Sequence, residues 1–257
     1  MRKAFKAVAV ATMASGILTM GARADDFFAK PDGEEDSSSL TVGVLAQAGQ
    51  SALLGKENIL PFPILFYENK FLTVETATIY LHPLEMGPFR LSAVGSVRVS
   101  DIEFSSDDRL DAFDRDIAFE AGGQLSFTLR DFTLYGQFLK DVTDAHDGEE
   151  YKIGLRWERR MGRVSLMAEG AAVHRSSELM TFLYGVGPGD AASGFAAYTP
   201  DAGWSGTANL FASYAFANNW AVISSISGER LTGSAFDSPI VSKRNTVRFG
   251  LGLSYTF

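Results

Sequence analysis

The chain has no cysteine and only three histidines, and these absences limit the chemistry available to it. Without cysteine there is no disulfide framework, no thiolate nucleophile and no cysteine-ligated zinc. His82, His146 and His174 lie far apart in the sequence, and none belongs to an HExxH motif or another i, i+4 pair. We therefore predict no metal site, no cofactor and no catalytic residue.

Long apolar runs are also missing after residue 24. No segment there reaches the roughly 18 consecutive apolar residues that mark a membrane-crossing helix. This excludes a helical membrane protein, although 46% of the residues are hydrophobic and 12% are aromatic. The apolar side chains must therefore be distributed in another pattern.

The first 24 residues have the features of a secretory signal peptide. Basic residues at positions 2, 3 and 6 precede an apolar stretch at 7–20, and Ala22 and Ala24 fit an A-x-A cleavage motif. The apolar stretch is shorter than the roughly 20 residues of a membrane anchor. Residues 25–39, rich in acids and serine, predict a disordered periplasmic leader. Residues 40–257 remain as the folded domain.

The charge balance argues against a nucleic-acid partner. The formal net charge is −8, and removing residues 1–24 takes away four basic and no acidic residues, which makes it −12. Binding to phosphate backbones needs clustered lysine and arginine.

Apolar and polar residues alternate in segments of about ten from residue 40 onward, and a period of two is typical of β-strands. In YKIGLRWE, Tyr151, Ile153, Leu155 and Trp157 share one face. Eleven such segments are found: 40–47, 59–67, 71–81, 88–100, 116–130, 132–140, 151–158, 163–173, 206–216, 220–230 and 249–257.

The connections between these segments distinguish two all-β folds. Short connections at 130–131, 159–162 and 217–219 alternate with long polar ones at 101–115, 174–205 and 231–245, which is typical of an outer-membrane barrel. A soluble β-sandwich would also give short alternating strands. Aromatic residues near strand ends favour the barrel, since they suit the membrane interfaces: Phe132, Tyr151, Trp157, Tyr214, Phe216, Trp220, Tyr255 and Phe257.

We therefore predict a transmembrane antiparallel up-and-down β-barrel. Bacterial single-chain barrels have even strand numbers, so the count of eleven is expected to be wrong by one. The uncertain region is 40–81, where Pro61, Pro63 and the mixed run TVETATIY disturb the alternation. Twelve strands is the prediction and ten the alternative.

Charged residues on the polar faces of these strands are candidates for lining the lumen. They could line a pore, or form ion pairs that close it, since small barrels are filled by side chains. The candidates are Arg90, Arg98, Glu120, Arg130, Lys152, Arg156, Glu158, Glu169 and Arg248.

Three polar motifs have alternative interpretations. GVGPGD at 185–190 lacks the residues of a phosphate-binding loop and is interpreted as flexible loop glycines. HRSSE at 174–178 is weighed as a Ser/His/acid constellation, although such short runs are usually loop residues. Acidic clusters at 107–116 and 144–150 could meet a divalent cation or metal-bridged lipopolysaccharide, but a solvated acidic loop is favoured.

The second half of the chain resembles a known family. The run LYGVGPGDAASGFAAYTPDAG, then NLFASYAFANNWAV, ERLTGSAFDSPIV and the closing FGLGLSYTF are similar, in order, to the MipA/OmpV family of outer-membrane proteins. PFPILFYENKFLTV resembles the early paired strands of that family, and DSPIV is the most specific block. The resemblance covers most of residues 40–257.

The resemblance implies a location in the outer membrane of a Gram-negative bacterium, in contact with membrane lipid and lipopolysaccharide. It implies a non-enzymatic scaffold that bridges a lytic transglycosylase and a peptidoglycan synthase. It also implies that the terminal strand is recognised by the barrel-assembly machinery, with Phe257 as the tag. The apolar face of that strand consists of Phe249, Leu251, Leu253, Tyr255 and Phe257.

Two alternatives to the scaffold remain. The first is a narrow pore or uptake channel gated by the loop 174–205. The second, weaker one is a lipid-modifying enzyme that uses His174.

Overall fold

Twelve antiparallel strands close into a barrel in the computed structural model, which describes residues 38–55 and 59–257. The predicted signal peptide, its cleavage motif and most of the predicted leader lie outside these residues. The strands are β1 Ser39–Gly49, β2 Leu60–Glu68, β3 Leu72–Glu75, β4 Thr78–Met86, β5 Phe89–Arg98, β6 Ala118–Leu129, β7 Phe132–Asp141, β8 Glu149–Met161, β9 Val164–Arg175, β10 Gly203–Ala215, β11 Trp220–Leu231 and β12 Asn245–Thr256.

The predicted number of twelve strands is confirmed, and the missing strand lies in the uncertain region. The segment 71–81, predicted as one strand, contains β3 and the start of β4, separated by a tight turn at Thr76 and Ala77. Thr76 adopts a positive φ of 38° there, a conformation that residues other than glycine rarely adopt. The single-strand prediction for 71–81 is therefore wrong.

The last strand closes the barrel against the first. Thr41 is opposite Thr256 and Gly49 is opposite Arg248 in the β1–β12 pair. The Thr41 and Thr256 hydroxyls are 2.8 Å apart inside the barrel, and the backbone N–H of Phe257 donates to the carbonyl of Leu40 (2.8 Å). Closure leaves no open sheet edge here, as an apolar bilayer requires.

Connections of different length lie at the two ends of the barrel. Those at 69–71, 87–88, 130–131, 162–163 and 216–219 are at the same end as the start of β1 and the end of β12, the periplasmic end of outer-membrane barrels. The longer ones at 99–117, 142–148, 176–202 and 232–244 are at the outer end. They carry one α-helix, α1 (Ser177–Tyr184), and the 3-10 segments Asp101–Phe104, Asp108–Ala112, Pro188–Ser193 and Gly233–Ala235.

The outer face of the barrel is apolar and the inner face is buried. Large hydrophobic side chains point outward on alternate positions of most long strands, for example Val44, Leu91, Leu125, Ile153, Leu210 and Leu251. Aromatic rings gather at the periplasmic end, where Trp220, Tyr255 and Phe257 form successive edge contacts with centroids 5.1 and 4.8 Å apart. An apolar belt with aromatic edges matches a lipid environment.

Across the described part of the chain, the helices are too short or too polar to cross a membrane.

Candidate functional site

The outer half of the lumen contains a chain of alternating buried charges. Arg98 Nε lies 2.6 Å from Glu120 Oε1, and Arg98 Nη2 lies 3.3 Å from Glu150 Oε2. Arg175 continues the chain, with Nε 3.0 Å from Glu150 Oε2 and Nη1 2.8 Å from Glu229 Oε1. These residues come from β5, β6, β8, β9 and β11, and two of the pairs, Arg98–Glu150 and Arg175–Glu229, connect strands that share no backbone hydrogen bonds.

The loop 142–148 is fixed to this chain of charges. His146 is buried, with Nε2 3.2 Å from Glu120 Oε1, and its Nδ1 accepts from the backbone N–H of Gly148 (2.9 Å). The Asp141 carboxylate accepts from the backbone N–H groups of His146 (2.6 Å) and Asp147 (3.0 Å). The loop is therefore anchored to the lumen by side chains and not only by the strands that it joins.

A second buried cluster of charges lies nearer the periplasmic end. The Glu169 carboxylate is shared by Lys152 Nζ (3.3 Å) and Arg156 (Nη2 2.7 Å, Nε 3.0 Å). Both cations also lie over the ring of Tyr135, at 5.5 and 5.6 Å from its centroid. Arg156 is only 1% exposed, which shows that side chains fill the lumen at this level.

A third part of the lumen is apolar, which is unusual in a barrel whose interior is otherwise polar. Seven inward side chains from β1, β2, β9, β10 and β11 pack together, and Phe104 of the segment Asp101–Phe104 packs against them. We call this set the apolar lumen cluster: Leu45, Phe62, Ile64, Phe66, Met167, Phe211 and Ile223.

The outer loops pack into a hydrophobic cap over the barrel mouth. Leu179, Met180 and Phe182 of α1 are buried against residues from the other outer loops. Arg115 ties two of these loops together, because its guanidinium pairs with Asp190 (3.1 Å) and donates to the carbonyls of Phe182 and Gly185. Burial beneath the cap, together with the nearby charge of Glu229, raises the pKa of Tyr184 well above its usual value.

This arrangement differs from an open pore. The inward side chains of the described strands are buried, including most of the charged ones, so this conformation has its lumen filled from the cap to the second cluster. A cleft of about 540 Å³ does lie among the outer loops, beside Arg115, His146 and Asp190, but it is above the charged chain.

Comparison with known proteins identifies the family. The family model described as "MltA-interacting protein MipA" matches residues 42–257. This chain belongs to that family.

Individual relatives agree with this assignment. The chain is 24% identical over 226 residues to YiaT of Escherichia coli K12, provisionally named an outer membrane protein, which covers 86% of this chain and 92% of that one. It is 32% identical over 133 residues to the MltA-interacting protein of the same organism, covering 49% of this chain and 53% of the relative. The chain is thus an outer-membrane β-barrel of the MipA family.

Solved barrels resemble it more distantly. The translocator domain of the autotransporter NalP from Neisseria meningitidis is 12% identical, with a TM-score of 0.42, covering 88% of this chain and 90% of that one. The KdgM porin is 8% identical, with a TM-score of 0.41, covering 85% and 99%.

The structure places the predicted lumen residues of this MipA-family barrel in three settings. Arg98, Glu120, Lys152, Arg156 and Glu169 belong to the buried clusters. Arg248 faces inward and pairs with Asp101 (3.0 Å), Glu158 faces inward near the end of β8, and Arg90 lies near the periplasmic end beside Glu85 (3.4 Å). Arg130 was wrongly predicted as a lumen residue: it is exposed in the turn after β6 at a φ of 53°. The predicted strand 116–130 extends one residue beyond the end of β6, and this residue is Arg130.

The residues weighed for catalysis or metal binding are not brought together. His174 is on the outer face, near the rings of Tyr151 and Trp204, whereas the Ser176 hydroxyl caps α1 and Glu178 is exposed. Among residues 38–55 and 59–257, no three histidine or acidic side chains are grouped to hold a metal ion. The Asp190 carboxylate of GVGPGD accepts from the backbone N–H of Gly187 (2.8 Å) and so stabilises its own loop.

Charge is unequally divided between the two ends. The turn before β7, the last residues of β8 and the turn after β8 carry Arg130, Arg159, Arg160 and Arg163, with Asp131 and Glu158 as the nearby acids. We call these four arginines the basic rim. The outer loops instead carry most of the acids, including Asp107, Asp108, Asp111, Asp114, Asp116, Asp144, Asp147, Asp201 and Asp237. The distribution gives the periplasmic end a positive patch on a chain of net negative charge.

Proposed function

We propose that this MipA-family barrel is a non-enzymatic scaffold that binds cell-wall-remodelling enzymes at its periplasmic end. The observation that carries the proposal is the basic rim. Arg130 and Arg163 are exposed on two neighbouring turns, and Arg159 is exposed near the end of β8. Their local acid Asp131 makes only a long, exposed pair with Arg159 (3.7 Å). A positive surface of this kind steers and orients a partner with an acidic patch.

Two further observations support a binding role. The inward side chains of the described strands fill the lumen, which does not favour a transport function. One relative carries a name that states an interaction with MltA, and this relative shares 32% identity over its matched half. We propose that a lytic transglycosylase is the first partner, and that a peptidoglycan synthase joins through it.

The test is affinity capture of the full chain from detergent-solubilised envelopes, with a tag in the outer loop 232–244. Mass spectrometry should identify a lytic transglycosylase and a peptidoglycan synthase in the eluate. Capture should weaken as salt rises, because exposed charges are screened. Repeated recovery of neither enzyme class would contradict the proposal.

A matched pair of charge variants locates the contact. Arg130→Glu with Arg163→Glu reverses two charges of the basic rim, whereas Lys243→Glu with Arg244→Glu makes the same charge change at the outer end. We expect the rim variant to lower recovery of the transglycosylase at least about tenfold, since like charges at an interface are strongly unfavourable. The outer variant should recover as much as the unmodified chain. Equal recovery by both variants would show that the basic rim is not the contact.

A further inference from the structure

Part of the barrel wall has no strand on one side. β2 pairs with β1 along its whole length, but only its residues 66–68 pair with β3. The backbone N–H of Thr76, in the β3–β4 turn, donates to the Leu65 carbonyl (2.7 Å). Residues 60–64 lie between this turn and the outer end of the barrel, and on the side of β2 that faces β3 they have no β-strand partner among the described residues. Five residues of strand span about 16 Å. We call this gap, between residues 60–64 and the end of β5, the seam.

Two prolines suit the seam to an apolar environment. Successive residues of a strand direct their backbone groups to opposite sides. Since the Leu65 carbonyl faces the β3–β4 turn, the backbone groups of Pro61 and Pro63 face the seam. Proline has no N–H, so two donors that would be unpaired next to lipid are missing. On the outer surface the seam adjoins exposed Val44, which is opposite Pro63, and exposed Leu65.

A loop segment, and not a strand, packs behind the seam. The 3-10 segment Asp101–Phe104 follows β5, and its Phe104 packs against the apolar lumen cluster. Polar contacts hold the segment at both ends: Asp101 pairs with Arg248 (3.0 Å), and the Ser105 hydroxyl donates to the Leu54 carbonyl (2.6 Å). These contacts can break without disrupting any β-sheet hydrogen bond.

The lumen behind the seam has an apolar part and a polar part. Phe62, Ile64 and Phe66 of β2 face inward at the seam and belong to the apolar lumen cluster. Beside them Gln47, opposite Leu60 at the outer end of the seam, is 3% exposed, and both polar atoms of its side-chain amide lack a protein partner.

Three further buried polar groups, on β10 and β11, face the same lumen. The register places Gln47 beside Gly250, and Gly250 beside Ser225. The Ser225 hydroxyl, the Asn209 side-chain oxygen and the Thr207 hydroxyl are buried on β10 and β11, also without a protein partner. Buried polar groups are normally paired, so these uncharged donors and acceptors point to a polar group that the chain itself does not supply.

We propose that the lumen binds a single-chain amphiphile with an uncharged, hydrogen-bonding head group, which enters from the membrane through the seam. Its hydrocarbon chain replaces Phe104 against Phe62, Ile64 and Phe211, and its head group meets Gln47 and Asn209.

The test uses the full chain refolded in lipid nanodiscs with a monoacylglycerol that carries a photoactivatable diazirine in its chain. After irradiation, mass spectrometry maps the labelled residues. Lipid-facing Val44 and Leu65 should be labelled in any case, and we expect additional labelling of inward Phe62, Ile64 and Phe211. Labelling confined to lipid-facing residues would overturn the proposal.

Two glutamine variants test the head-group contact. Gln47→Leu should lower inward labelling about tenfold, the effect of losing one hydrogen bond to a buried group, and leave outward labelling unchanged. Gln137→Leu is the matched control, because Gln137 is also buried and inward but donates to Gln124 (3.2 Å). Equal inward labelling in both variants would refute the role of Gln47.

A reversible crosslink tests the entry route. A Cβ placed on Gly55 would lie 3.1 Å from the Ser106 hydroxyl oxygen, and the chain has no other cysteine to interfere. In Gly55→Cys with Ser106→Cys, oxidation should abolish inward labelling and reduction should restore it, so that the reduced form controls for folding. Inward labelling that is equal in the two states would refute entry through the seam.

Discussion

Glu169→Gln is expected to be strongly destabilising, although it only replaces one carboxylate oxygen by an amide nitrogen. The Glu169 carboxylate is shared by Lys152 and Arg156, and the three side chains are 2%, 8% and 1% exposed. Removing one member of a buried ion cluster typically costs about 3–5 kcal/mol, because buried charge is left without compensation. Glu158 and Glu75 also attract Arg156, so we expect the lower end of that range, about 3 kcal/mol.

Urea unfolding of the barrel in lipid vesicles measures this effect. With an m-value of about 2–3 kcal/mol per molar urea, a loss of about 3 kcal/mol lowers the midpoint by about 1 M or more. Asp131→Asn is the surface control, since the exposed Arg159–Asp131 pair contributes at most about 1 kcal/mol.

A third variant separates charge from packing. Replacing Lys152 and Arg156 by Met and Glu169 by Leu removes all three charges and keeps similar volume. Such replacements of buried ion pairs are often neutral or stabilising. If Glu169→Gln unfolded within about 1 kcal/mol of the unmodified barrel, the lumen would be hydrated and the inference of a filled interior would be wrong.

Three further predictions follow from the filled lumen, the terminal strand and the cap. In planar bilayers the barrel should show no ion conductance, with or without residues 177–202, because the charged clusters below the cap fill the lumen. Steady conductance would support the pore alternative. Phe257→Ala keeps the backbone bond to Leu40 but should lower the yield of folded barrel in the outer membrane, whereas Phe249→Ala should affect it less; unchanged heat-modifiable mobility would argue against Phe257 as an assembly tag. Because burial raises the pKa of Tyr184 in the folded state, the contribution of neutral Tyr184 to cap stability is present below about pH 10, the ordinary tyrosine pKa, and is lost as the pH rises above that value. Proteolysis of the loop 176–202 should therefore accelerate above about pH 10. Tyr184→Phe should remove this pH dependence of proteolysis.

The sequence was sufficient to predict most of the barrel. Strict alternation in β6, β8 and β12 determines which side chains face lipid, and the pairing of β1 with β12 follows from the need to pair both edges. The β3–β4 turn was missed because it contains no glycine, proline or asparagine, the residues that normally mark turns. Thr76 takes a strained φ that tertiary pairing on both sides imposes.

The connections within the lumen could not be predicted. Candidate charges were identified from their strand faces, but the pairs Arg98–Glu150 and Arg175–Glu229 join strands that are not neighbours. Such pairs depend on barrel diameter and strand stagger, which no local pattern contains. Arg175 and Glu150 were missed as lumen residues because both lie at strand ends next to polar loops, where alternation no longer distinguishes the two faces.

The least regular strand of the sequence is the one on which the further inference depends. In PFPILF both faces of β2 are apolar, so periodicity could not decide whether the prolines or the phenylalanines face inward. The structure places Phe62, Ile64 and Phe66 in the lumen and directs the proline backbone groups toward the seam. An ordinary barrel strand has a backbone N–H donor at every position and a polar inner face. β2 departs from both requirements over residues 60–64. Because the two departures coincide at a gap in the β-sheet, behind which Phe104 packs, they are better explained by one requirement, an apolar path from the membrane into the lumen, than by two independent irregularities.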